Sequence, residues 1–214
     1  MASQSVTGAT GGRADAGPDP VLDAWFGDER DGRRDLPRRK RWFRGGRALD
    51  AALRERFGAT IEAAGRGELD RWRESPDGTL ALIVLLDQFP RHVHRGTAAA
   101  FAHDARALDL AAEGIARGHL ARLPLVQAVF HVMPYAHDES LASQRRALEL
   151  FGELSRRAPP ELDDFARATL QSAEEHAAII ERFGRYPHRN AALGRPSSAD
   201  ERRWLAGRER RFGQ

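Results

Sequence analysis

Three short stretches of this chain gather side chains that can move protons or hold anions, and each reads as a junction where an apolar helix ends at a proline. The first is Asp87-Gln88-Phe89-Pro90-Arg91, followed by Arg95-Gly96. On a helix Asp87 and Arg91 fall one turn apart, suited to an ion pair. Asp87 is then a candidate to orient an arginine that grips an anion, a candidate base with a carboxyl raised by burial, or simply a structural partner for arginine. The second stretch is Met133-Pro134-Tyr135-Ala136-His137-Asp138-Glu139. A histidine beside carboxylates is a general acid–base unit, although capping of a following helix by Asp138 or Ser140 accounts for the acidic residues without chemistry. The third is Phe183-Gly184-Arg185-Tyr186-Pro187-His188-Arg189-Asn190, closing with Gly194-Arg195. Four donor-rich side chains on a proline-stiffened loop suit a phosphate or carboxylate, and equally suit an arginine-rich connector between helix ends.

The elements that must position these groups read as helices. Leu80 to Leu86 is apolar on every side, the pattern of a helix buried all round, and Ser75-Pro76-Asp77 is its start signal. Leu49, Leu53, Phe57 and Ile61 trace one stripe, and Phe101, Ala105, Leu108, Ala112 and Ile115 another. Leu123 to Met133 reads as a short apolar segment interrupted by Pro134, with a further helix from Ser140. The longest helix is predicted over 161–183, stopped by Gly184, with His176 on its apolar face as a core histidine. A capped final helix is predicted from Ser198 to about Arg211. No segment alternates with period two for long enough to make a strand. The reading is an all-α, irregular antiparallel array of about eight to ten helices in a single domain over 18–214. Residues 1–17, rich in Gly, Ala, Ser and Thr, are expected to be a disordered tail. The dense charge of 27–41 reads as a solvated loop anchored by Trp42-Phe43.

Composition narrows the function classes. The 214 residues carry a formal charge of +3 and Lys40 is the only lysine, so arginine supplies almost all of the positive charge. Guanidinium favours bidentate pairing with carboxylates and phosphates, but so small a net charge argues against a nucleic-acid partner. The absence of cysteine excludes disulfides, thiolate catalysis and cysteine-ligated zinc. His92 and His94 alternate as ligands in a metal site can, without a third ligand at a diagnostic spacing, so neither a metal nor another cofactor is expected. No apolar run is long enough to span a bilayer and the first residues do not form a secretory signal, giving a cytoplasmic expectation with no membrane partner.

The motifs LLDQFPRHVHRGT, MPYAHDESLASQ and HAAIIERFGRYPHRNAALGRPSS, in that order, resemble the bacterial family called domain of unknown function 924, over roughly residues 20–206. The resemblance implies a tetratricopeptide-like helical fold and no assigned reaction. Its pattern falls on Asp87, Gln88, Phe89, Pro90, Arg91, Arg95 and Gly96; on Pro134, His137, Glu139 and Gln144; and on His176, Phe183, Gly184, Arg185, Pro187, His188, Arg189, Asn190, Gly194 and Arg195. This chain departs from it by carrying His92 and His94 where Asn and an aromatic are usual, and Asp138 where Ser is usual.

The functional expectation is a pocket for an anionic small molecule. Gln88, Arg91, Arg95, Arg185, Arg189 and Asn190 would bind it, and His137, His188, Asp87 and Glu139 would carry any metal-independent acid–base or hydrolytic chemistry. The alternative is a tetratricopeptide-like module whose groove receives a protein or peptide partner without catalysis.

Overall fold

Ser75 starts the central element: its Oγ accepts from the Gly78 N–H at 3.1 Å, and Pro76 occupies the first helical turn, where a missing N–H costs nothing. In the computed structural model, which describes residues 17–27, 42 and 46–207, this element is an α-helix, Pro76–Ile83, that widens into a π-helical turn, Val84–Gln88, and resumes as α-helix over Phe89–Val93. Pro90 explains the widening. Its ring has no N–H for the Leu86 carbonyl and would collide with that carbonyl in a regular α-helix. The Phe89 N–H reaches back five residues to the Val84 carbonyl instead. The sequence reading ended this helix at the proline; the structure carries it through, and the wide turn displays Asp87 and Gln88.

Numbered in chain order, the helices are α1 (Asp19–Phe26), α2 (Arg47–Gly65), α3 (Pro76–Ile83), α4 (Phe89–Val93), α5 (Asp104–Ala116), α6 (Leu125–His137), α7 (Leu141–Arg156), α8 (Asp163–Phe183) and α9 (Ala199–Ala206), with single 3-10 turns between several of them. Among the described residues there is no strand. Helix α3 packs against α1, α5 and α6; α4 packs on α2; and α5, α6, α7 and α8 pack each on the next, making an irregular helical array. One core cluster runs from Val21 to Ala173, and a small second cluster joins Ile179, Ile180 and Tyr186. Leu80 to Leu86 are buried throughout, as the all-round apolar pattern requires. Trp42 is in the core, its Nε1 donating to the Trp25 carbonyl at 2.8 Å. The expected tail, the charged loop apart from Gly27, Phe43 and the last residues from 208 lie outside the described residues.

Helix α6 does not stop at Pro134 as predicted but continues to His137. Gln144, buried on α7, donates through Nε2 to the Ala136 and Asp138 carbonyls at 3.0 and 2.6 Å, satisfying the last turn of α6. The Ser140 cap of α7, the left-handed Gly184 after α8 and the Ser198–Glu201 capping box of α9 follow the sequence signals.

Helices α5 and α6 approach closely at Gly114, where an added Cβ would lie 2.5 Å from the buried His131 ring. Alanine is favoured over glycine in a helix by about 1 kcal/mol, but overpacking costs about 1–3 kcal/mol. Gly114→Ala should therefore lower the urea midpoint, whereas Gly58→Ala, with open space at its Cβ, should raise it. Equal responses at the two sites would show that the α5–α6 contact yields.

Candidate functional site

The three polar stretches converge. The π turn presents Asp87 and Gln88, the end of α6 presents His137, and a 3-10 turn, Pro187–Arg189, presents His188 and Arg189 after Gly184 has turned the chain. Between them and α8 lies a cavity of 650 Å³ lined by Gln88, Arg91, Arg95, His137, His188 and Arg189 among others, within the size range of small-molecule sites.

Asp87 is the hub, with 0% of its surface exposed. Its carboxylate takes a hydrogen bond from His137 Nδ1 at 2.7 Å and one from Gln88 Nε2, and pairs with Arg91 Nη1 at 3.0 Å. Burial alone would raise the Asp87 carboxyl, but Arg91 and His137 hold it down to about 2. An ionised carboxylate only accepts, so the His137 proton sits on Nδ1 and Nε2 keeps its lone pair, with no protein partner among the described residues. Burial holds His137 below the usual histidine range; Asp87 opposes this and Arg91 reinforces it. A neutral imidazole with a free Nε2, oriented by a carboxylate, can accept a proton and be stabilised once charged.

Arg91 is fully engaged. Besides Asp87 it makes a two-pronged contact with Asp104 at 2.9 and 2.8 Å. Asp104, at the start of α5, was not among the expected site residues; it lies eight residues after Gly96, outside the three motifs, and nothing in its spacing marks it. Burial pushes its carboxyl up despite Arg91.

Arg189 is different. It is 6% exposed, its guanidinium lies between the rings of Phe101 and Tyr186 at 4.8 and 4.5 Å, and Nε has no hydrogen-bond partner. Its one ion pair among the described residues is a loose one, Nη1 to Asp104 Oδ2 at 3.6 Å. Burial, reinforced by Arg91, lowers its affinity for its proton. Counted formally, Arg91 and Arg189 balance Asp87 and Asp104. What the cluster lacks is an acceptor for the Arg189 donors, and the motifs alone did not distinguish that lack from an excess of charge.

His188 and His176 complete this end of the cavity, their rings 5.3 and 5.5 Å from Tyr186. Burial, together with nearby cationic groups, pushes His188 to about 4 and His176 to about 3. His176, expected as a core histidine, lines the cavity; its place on the apolar face of α8 was the available signal.

Other candidates serve the scaffold. Glu139 receives both Arg195 nitrogens at 2.6 and 3.0 Å and the Tyr186 N–H at 2.8 Å, tying the third stretch to the end of α6. Arg185 is held by Glu201 at 2.7 and 2.9 Å and by the Pro196 carbonyl at 3.0 Å. Asn190 bridges Ser197 and Arg195, each at 3.0 Å. Neither Arg185 nor Asn190 lines the cavity. Arg95 lines it while engaged with Asp50 at 3.1 Å, and His92 also contacts Asp50 at 3.1 Å. Among the described residues no three His, Asp or Glu side chains gather as a metal site, and no helix is long and apolar enough to cross a membrane.

No curated protein matches this chain. A solved structure, that of the protein of unknown function ATU0120 from Agrobacterium tumefaciens, is similar over 89% of this chain and 97% of its own, with 37% identity and a TM-score of 0.75. The model of a bacterial family of proteins of unknown function, DUF924, matches residues 21–209, which include all three motifs and every residue described around the cavity, and this chain belongs to that family.

Proposed function

We propose that the cavity binds an anionic small molecule through Arg189 and that the Asp87–His137 pair exchanges a proton with it. The observation that carries this reading is the Arg189 side chain, nearly buried, without a hydrogen bond among the described residues and lining the cavity. Burying a guanidinium with its donors unmet is costly, and an anion supplies the acceptors they lack. His137 Nε2 is the proton acceptor, Asp87 stabilises the imidazolium that forms, and the chemistry is acid–base or hydrolytic, with a water surrendering its proton to Nε2 in the latter case. A peptide-binding, tetratricopeptide-like module is the reading from another class. The volume of 650 Å³ and the buried charge favour a small molecule over a peptide groove.

The test is thermal unfolding of the wild type and of Arg189→Met with acetate, phosphate and sulfate at matched ionic strength. A ligand bound only to the folded state raises the melting temperature in proportion to ln(1 + [L]/Kd). The wild type should show such a rise with at least one anion, and Arg189→Met should lose it while still folding at some cost in stability, because Asp104 loses a loose ion pair but keeps its two-pronged contact with Arg91. A fold that collapses on this substitution marks the guanidinium as a structural tie, and retention of the anion response in the variant rules it out as the binding group.

A further inference from the structure

The wall opposite the arginines identifies the class of ligand. Helix α8 lines the cavity with Phe165, Ala168, Thr169, Ser172, Ala173 and His176, which recur at three- and four-residue intervals as one continuous face. Eleven residues of α-helix separate the first from the last, about 16 Å along the axis. The face is graded. It begins at Phe165, a buried aromatic, and ends at His176, whose ring contacts Tyr186, the same ring that stacks on the Arg189 guanidinium. The cationic end of the cavity is therefore the His176 end, and the stripe leads from it towards Phe165. Phe151 of α7, Met133 of α6 and Trp42 add further apolar surface to the lining. The cationic end also limits the charge a ligand can carry, since Asp87 and Asp104 already stand there and each further negative charge meets their repulsion.

We infer that the cavity takes an elongated amphipathic monoanion, a carboxylate head at Arg189 with an apolar body lying along α8. This rests on the anion-binding reading above and goes beyond it. Polar hydroxyls at Thr169 and Ser172 line the middle of the path. The Thr169 hydroxyl donates to the Phe165 carbonyl at 2.9 Å and is satisfied within the helix; Gln171 and Ser172, which also line this wall, are exposed, and the Glu175 carboxylate in the lining adds to the repulsion of a second negative charge.

The test is a series of straight-chain carboxylates, acetate, butanoate, hexanoate and octanoate, titrated calorimetrically into the wild type. If each added methylene is buried at about 0.8 kcal/mol, affinity should rise about 4-fold per methylene. Octanoate should bind more tightly than octyl phosphate as the dianion, and more tightly than uncharged octan-1-ol. Ala168→Asp changes an exposed position on the apolar part of the stripe, so the fold should persist while the gain with chain length shrinks and acetate binding is kept. Affinity that does not change from acetate to octanoate overturns the amphipathic class while leaving anion binding at Arg189 in place. Tighter binding of octyl phosphate overturns the single-charge argument. If no carboxylate of the series and no inorganic anion binds, the anion-binding reading falls and this inference with it.

Discussion

Asp87→Ala should destabilise the protein by about 3–5 kcal/mol, the range for breaking a buried charge network from one side. The carboxylate is wholly buried and serves three donors at once, His137, Gln88 and Arg91. Its removal leaves the His137 N–H and the Gln88 amide without this acceptor, and leaves Asp104 to neutralise both Arg91 and Arg189. Asp87→Asn is the informative companion. It preserves volume and one acceptor, but its amide turns donors towards a site that already supplies only donors, so its loss should approach that of alanine. Urea denaturation at pH 7 measures both, and a cost below about 1 kcal/mol for either would mean that the network is not a buried ionic one. The asparagine variant also removes the carboxylate that pins the His137 proton to Nδ1. Any turnover that depends on Nε2 as a base should fall far more than ligand affinity does.

Acid should unfold the protein before its carboxylates protonate. His131 and His188 are held at about 4 and His176 at about 3, each first by burial, and in the unfolded chain each returns to about 6.5. The folded values are depressed, so the neutral forms favour the native state above pH 6.5, and that contribution is lost as pH falls through 6.5 towards 4. Three such histidines give a slope of up to about 4 kcal/mol per pH unit near pH 5. His131 shows the structural reason: Nε2 faces the Ala111 carbonyl at 3.1 Å, while buried Nδ1 has no hydrogen-bond partner among the described residues, so a second proton would arrive there without an acceptor. Asp87, at about 2 against an ordinary 3.8, contributes in the same direction but only below pH 4. The measurement is the urea midpoint from pH 7.5 to 4.5 together with the protons taken up on unfolding. Uptake near three per molecule at pH 5 is expected, and stability that stays flat from pH 7 to 5 would refute neutral buried histidines at these positions.

The elements that could be read in advance are those whose causes are local. Ser75, Ser140 and Ser198 cap helices because a hydroxyl two or three residues before an N–H needs nothing distant to reach it, and Gly184 stops α8 because glycine alone takes its left-handed backbone cheaply. Helix ends at prolines were misread at Pro90 and Pro134, where burial among neighbouring helices sustains the helix, a π turn makes room for the Pro90 ring, and Gln144 ties the last turn of α6. Within the third motif, Arg185, Arg189 and Asn190 look alike as donors. The chain's path through Gly184 and the 3-10 turn puts Arg189 in the cavity and ties Arg185 to Glu201.

The sequence by itself determined that the chain is all-helical, that Leu80 to Leu86 lies at its centre, and that three stretches concentrate its candidate polar residues, because periodicity, capping and burial of apolar runs are short-range or compositional properties. Which of those polar groups are engaged and which lack an acceptor among the described residues was decided by tertiary structure alone. Asp104 arrives from α5 to occupy Arg91, Phe101 and Tyr186 close on Arg189 without offering it an acceptor, and Phe151 and Phe165 supply an apolar wall from parts of α7 and α8 that lie outside the polar motifs. Pairing energy depends on distance and burial, and neither exists until the helices have packed.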